Sequence, residues 1–101
     1  MSPNILAETP ITPAYTQKRH GGTQDIYRFA NGYGASVIRN EHSYGNTGGL
    51  FELGVTRLLG EGAFDFRLTY ETPITDDVIG YLTTEDVQDL LVKIQALEQA
   101  V

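Results

Sequence analysis

Chemistry in this chain of 101 residues has little to draw on: two histidines, His20 and His42, no cysteine, and carboxylates gathered toward one end. Without a thiol there is no disulfide, thiolate zinc site or cysteine nucleophile. Glu41-His42-Ser43 contains the residue types of a hydrolytic triad. Neighbours in a loop point apart, however, and a triad is assembled from positions that the fold brings together. His20-Gly21-Gly22 has the look of an oxyanion loop, but the Gly-x-Ser-x-Gly that should accompany it is missing. Neither Gly32-Tyr33-Gly34 nor the glycines of residues 45–49 match a phosphate-cradling motif, and neither group leads from a strand into a helix. Asp76-Asp77 and Glu85-Asp86 fall where the first turns of helices would use them as dipole partners, so they call for no metal. The residues therefore favour a protein that binds over one that catalyses, with no cofactor. A small enzyme or ligand-binding domain using the 40–49 loop is the alternative.

Charge narrows the choice of partner. The net charge is −6, and residues 71–101 carry all of it: Glu71, Asp76, Asp77, Glu85, Asp86, Asp89 and Glu98 stand against Lys93 alone. Direct nucleic-acid binding is disfavoured there, because phosphate recognition needs clustered Lys and Arg. A basic protein surface is the natural complement, although acidic helix faces also serve solubility alone. No apolar run is long enough to cross a bilayer, and Met1-Ser-Pro-Asn lacks the features of a signal peptide, so a cytoplasmic, membrane-free protein is expected.

The elements that must position these residues are read from periodicity. Residues 1–23 hold Pro3, Pro10, Pro13 and Gly21-Gly22 with no sustained period, which predicts a flexible tail whose removal leaves the rest folded. Glu-Thr-Pro-Ile-Thr occurs at 8–12 and again at 71–75, but the flanks diverge, so it marks no domain repeat. Residues 24–101 read as a single α+β domain. Its first hairpin pairs residues 24–30 with 33–39 around Asn31-Gly32, a pair suited to a type I′ turn. On the first strand Tyr27 and Phe29 share the face expected to be buried, with Ile26 and Arg28 opposite.

Residues 50–58 alternate Phe51, Leu53 and Val55 with Glu52, Gly54 and Thr56, which directs the first set to the core. Residues 63–71 alternate Phe64, Phe66, Leu68 and Tyr70 with polar positions, the clearest strand pattern in the chain, and are expected to face the helix. Thr75 with Asp76 and Asp77 suggests a short helical turn, and Thr83 with Asp86 a capping box opening a helix to about Gln99. Val87, Leu90, Leu91, Ile94 and Leu97 form its apolar stripe. The expected fold is thus a four-stranded antiparallel meander with one C-terminal helix packed on one face and a short preceding helical turn.

The strings Tyr27-Arg-Phe-Ala-Asn-Gly-Tyr-Gly-Ala-Ser-Val-Ile-Arg39, Gly49-Leu-Phe-Glu-Leu53 and Leu68-Thr-Tyr-Glu-Thr-Pro-Ile-Thr-Asp-Asp-Val78 resemble small uncharacterised acidic proteins of tailed bacteriophages. That resemblance spans about residues 25–98 and carries no catalytic residues. It implies a protein acting in the cytoplasm of a host cell, and most specifically an inhibitor of a host or defence (CRISPR-like) nucleic-acid-binding complex. An accessory virion protein is a further alternative, and self-association stays open. Tyr33 and Tyr44, beside turns, join Asp76, Asp77, Glu85, Asp86 and Asp89 as the expected partner-binding residues.

Overall fold

The computed structural model describes residues 10–19, 21–40, 51–75 and 77–99. They form an α+β fold with the strands β1 (Tyr15–Arg19), β2 (Gly22–Arg28), β3 (Tyr33–Asn40), β4 (Phe51–Leu58), β5 (Phe66–Leu68) and β6 (Ile79–Leu82), followed by the helix α1 (Thr84–Gln95). Every strand pairing is antiparallel. Strands β1 to β4 lie side by side in chain order, and the far edge of β4 is shared, β5 opposite Thr56, Arg57 and Leu58, β6 opposite Phe51 and Leu53.

Among the described residues the sheet has six strands where four were expected. One addition, β1, lies inside the expected tail and pairs with β2 from Tyr15 opposite Ile26 to Arg19 opposite Gly22. As an edge strand it buries no face, so its sequence shows no alternation of apolar and polar residues. Its register is fixed by polar pairs instead: Thr16 Oγ1 donates to Asp25 Oδ1 (2.8 Å) and Gln17 Nε2 to Gln24 Oε1 (2.7 Å). The segment before it is also attached. Ile11 packs against the core, its N–H donates to Gln88 Oε1 (2.8 Å), and its carbonyl accepts from Gln88 Nε2 (3.0 Å).

The other addition, β6, follows a stretch expected to be helical. Among the described residues of 71–78 there is no helical turn. The Thr75 hydroxyl instead accepts from Asp77 N–H (3.0 Å) and donates to the Asp77 carbonyl (2.8 Å), a local hydroxyl turn that competes with helix.

The central hairpin is present with a different turn. Phe29 N–H donates to the Tyr33 carbonyl (2.8 Å) and Gly32 N–H to the Phe29 carbonyl (3.2 Å), so the loop is Ala30, Asn31 and Gly32. Gly32 takes φ 90° but Asn31 is not at positive φ, which replaces the expected type I′ turn with the longer hairpin loop that ends on a left-handed glycine. The extra residue frees the Asn31 side chain to reach the helix. Its Nδ2 donates to the carbonyls of Ile94 (2.9 Å), Leu97 (3.0 Å) and Gln95 (3.2 Å), and its Oδ1 accepts from Tyr33 N–H (3.0 Å). Terminal helix carbonyls have no partner within the helix, so the hairpin tip caps α1 and stops it at Gln95, before the expected Gln99.

At its other end α1 opens with the anticipated capping box: Asp86 N–H donates to Thr83 Oγ1 and Thr83 N–H to Asp86 Oδ2, each at 3.1 Å. Val87, Leu91 and Ile94 are buried from this helix, with Leu90 and Leu97 packed at the margin of the cluster. They meet Tyr27, Ala35, Val37, Leu53 and Val55 from β2 to β4, Phe29 just after β2, and Leu82 from β6. The inward sets expected on the first and third predicted strands are therefore those observed.

The set on residues 63–71 is reversed. Phe64 and Leu68 are 48% and 40% exposed, Phe66 is half-buried, and Thr69 is buried. Leu68 pairs with Thr56 and Phe66 with Leu58, which puts both on the sheet face away from α1. Alternation locates an apolar face without saying which layer covers it, and here β2 to β4 already fill the helix side. The far face has cover of its own. Arg28 Nη1 donates to the Gly62 carbonyl (2.7 Å) and Nη2 to that of Gly60, drawing the loop after β4 across the sheet. On it the Phe64 ring meets Tyr15 edge-on at 5.3 Å between centroids. Ile26, on this face, is fully buried.

Candidate functional site

The predicted partner-binding residues do not come together as one patch. Tyr44 and Asp76 lie outside the described residues, as do His20 and His42. Tyr33 opens β3 beside the C-terminal end of α1, half-buried and packed against the core, where it lines a cleft of about 520 Å³ with Pro73, Ala96, Leu97, Glu98 and Gln99. It serves the fold more than a free surface. Asp77, Glu85, Asp86 and Asp89 are all exposed; Glu85, Asp86 and Asp89 lie in the first two turns of α1, at the opposite end, while Asp77 precedes β6 next to Val78.

Two of these acids have structural duties. Asp86 closes the capping box, and Asp77 Oδ1 accepts from Val78 N–H (2.7 Å). Glu85, like Asp86, lies in the first turn, where its charge complements the positive end of the helix dipole. Asp89 stands one turn further along. With Leu90, Asp86 and Lys93 it forms the helix wall of a cleft of about 370 Å³, whose sheet wall is Ile79 and Leu82.

Next to Leu82 in the chain is a residue that sequence reasoning passed over. Tyr81 is 67% exposed and has φ 61°, the only positive φ outside glycine among the described residues. It occupies a bulge: Phe51 pairs with Leu82 and Leu53 with Ile79, so three steps along β6 answer two along β4. The available signal was Gly80-Tyr81 within a short apolar run, a glycine beside an aromatic where a strand irregularity is common.

On the far face a third, smaller cleft of about 110 Å³ opens over Gly54 between Leu68, Val78, Ile38, Ser36 and Glu52. The Thr56 hydroxyl beneath this face is buried without a hydrogen-bond partner. Gly34 lies directly across from it because a Cβ there would sit 2.0 Å from the Tyr27 carbonyl oxygen and 2.9 Å from Thr56 Oγ1.

No family model, curated protein or solved structure matches the chain. Its chemistry must be read from its own groups. Among the described residues no three of His, Cys, Asp and Glu converge as metal ligands, and no helix is long and apolar enough to cross a membrane. Burial, with a smaller contribution from the Asp25 charge, pushes the Tyr27 hydroxyl up to about 12. That tyrosine belongs to the core under α1 and lines none of the three clefts.

Proposed function

We propose that this protein is a non-enzymatic binding module that engages a partner through the acidic end of the molecule, where β6 passes into α1. The observation that carries this reading is the uniform exposure of Asp77, Glu85, Asp86 and Asp89 over a short stretch of chain. A one-signed surface of this kind speeds and orients association with a basic partner. Resemblance to tailed-phage proteins supplies the setting: an inhibitor that occludes a basic, nucleic-acid-binding surface of a host or defence complex in the host cytoplasm. The protein competes with nucleic acid for Lys and Arg residues without binding nucleic acid itself.

The test starts from a tagged pull-down out of host lysate, with the captured protein identified and purified. Asp77→Asn, Glu85→Gln and Asp89→Asn are combined, leaving Asp86 to its cap. The triple variant is expected to keep its circular dichroism spectrum, bind the partner more weakly and show a flatter dependence of affinity on salt. Unchanged affinity and salt slope would reduce the acidic surface to a solubility feature.

A further inference from the structure

The sheet face away from α1 carries an exposed apolar patch. Tyr15 and Phe64 are 43% and 48% exposed, and Leu68 and Val78 are 40% exposed each. These side chains are contiguous. The Phe64 ring lies 5.3 Å from that of Tyr15 and 6.4 Å from that of Phe66, between centroids. Phe66 and Leu68, two positions apart on β5, share one side of the strand, and Leu68 joins Val78 and Ile38 around the small cleft over Gly54. A Cβ at Gly54 would come within 2.8 Å of Leu68 Cδ2, so this glycine lets Leu68 lie across β4 and carry the patch toward Val78.

The size of the patch bears on what it can hold. An aromatic side chain offers about 200 Å², so Tyr15 and Phe64 leave about 90 Å² each in water, and with Leu68, Val78 and the half-buried Phe66 and Ile38 the total comes to about 350 Å². Single apolar residues on a surface are ordinary, whereas a contiguous patch of several hundred Å² is where association surfaces are found. A standard interface buries about 800 Å² per partner, of which about 450 Å² is apolar, and the patch supplies most of that share.

Charge selects the occupant. Arg19, Arg28 and Glu52 occupy strand positions on this side, and Asp65 and Asp77 neighbour Phe64 and Val78 in the chain. Two cations thus stand against three acids, a near-neutral set in a chain whose net charge is −6. Arg28 is already held by the carbonyls of Gly60 and Gly62. Glu85, Asp86 and Asp89 are on α1, beyond the other face of the sheet. A basic partner finds little here to attract it. Two copies of this chain, which repel each other through their helices, meet on this side without opposing those acids.

We propose that this face is a self-association surface, through which two copies pack sheet to sheet about a two-fold axis, with Tyr15, Phe64, Leu68 and Val78 at the centre of the contact. Both helices remain on the outside, so the dimer carries the acidic end twice. The proposal does not rest on the partner-binding reading above, since it uses the other side of the sheet, and either can fail alone.

Sedimentation equilibrium of the full chain at physiological salt is expected to show a monomer–dimer equilibrium with a dissociation constant on the order of 10 μM. Phe64→Ser and Val78→Lys, both at exposed positions, should each raise that constant about tenfold while the circular dichroism spectrum is kept. Glu85→Gln combined with Asp89→Asn should leave it unchanged. Amide shifts compared between dilute and concentrated samples should move at Gly54, Leu68 and Val78. A chain still monomeric at about 1 mM, an unchanged constant in either folded patch variant, or concentration-dependent shifts confined to the free edge of β1 or to α1 would each overturn the proposal.

Discussion

Replacing Asn31 tests whether the hairpin tip holds the end of the helix. In Asn31→Ala two amide hydrogens are lost from three carbonyls, those of Ile94, Leu97 and Gln95, at 2.9, 3.0 and 3.2 Å. Counted as two net hydrogen bonds, the loss is about 2 kcal/mol, and leaving Tyr33 N–H without its acceptor adds about 1 kcal/mol more. A total near 3 kcal/mol should lower the thermal midpoint of a domain this size by more than about 10 °C. Asn31→Asp separates the terms. It keeps the acceptor for Tyr33 N–H, loses the donors, and sets a negative charge against the negative end of the helix dipole. That charge raises the new carboxyl's folded pKa above its unfolded value of about 3.9. Its contribution is therefore least harmful below that pH, and the deficit relative to wild type widens as pH rises through the folded value. Urea melts of all three proteins at two pH values, followed by circular dichroism, provide the measurement. An Asn31→Ala variant within about 0.5 kcal/mol of wild type, with an unchanged urea slope, would show that the helix terminus gains nothing from the hairpin.

Two further outcomes follow from the same contacts. Tyr27 is pushed up to about 12, above an unfolded value near 10, so its burial supports folding fully below pH 10, and up to roughly 2 kcal/mol of stability should fade between pH 10 and 12. Tyr27→Phe should lose less over that window in alkaline urea melts. Deleting residues 1–20 removes β1 and the Ile11–Gln88 pair together. The cooperative thermal transition should weaken sharply or vanish, contrary to the expectation for a free tail, whereas Gln88→Ala alone should cost about 1–2 kcal/mol.

Local signals were readable and non-local ones were not. The α1 stripe and the Thr83–Asp86 capping box depend on residues within a few positions of each other, and both are found where the pattern put them. Strand β1 left no such trace, because Tyr15–Arg19 covers the edge of β2 with polar cross-strand pairs and buries neither of its faces. The reversal of Phe64, Phe66 and Leu68 has the same origin. Their alternation is real, but which face meets α1 depends on the pairing of Leu68 with Thr56, and no property of residues 63–71 fixes that partner. Glycines show the limit from another side. Gly32 could be read as a turn residue from its neighbour, while the demand for Gly34 arises from the Tyr27 carbonyl and Thr56, which approach only once three strands are aligned.

The candidate site divides along that line too. Exposure of Glu85 and Asp89 follows from charge and helical position, and that of Asp77 from charge alone, so those residues could be named early. Tyrosines could not be sorted in the same way, because a tyrosine beside a turn is equally suited to a core margin or a contact surface. Tyr33 is both: it packs at the margin of the core and lines the cleft at the end of α1. Tyr81 is exposed, for a reason visible only in the register. Ile79 and Leu82 both line the cleft wall although they are three positions apart, and an even alternation cannot bring residues at that spacing to one face. One residue must be turned out, and Tyr81 is the residue turned out. The bulge that keeps the cleft wall continuous thus also leaves Tyr81 exposed, which makes the wall and that exposure consequences of a single backbone irregularity. A variant that restores regular pairing, by deleting Gly80, leaves two steps along β6 against two along β4, so Ile79 and Leu82 should stay together on the wall while Tyr81 loses its positive φ, and a structure of the variant with either residue turned out would refute the reasoning.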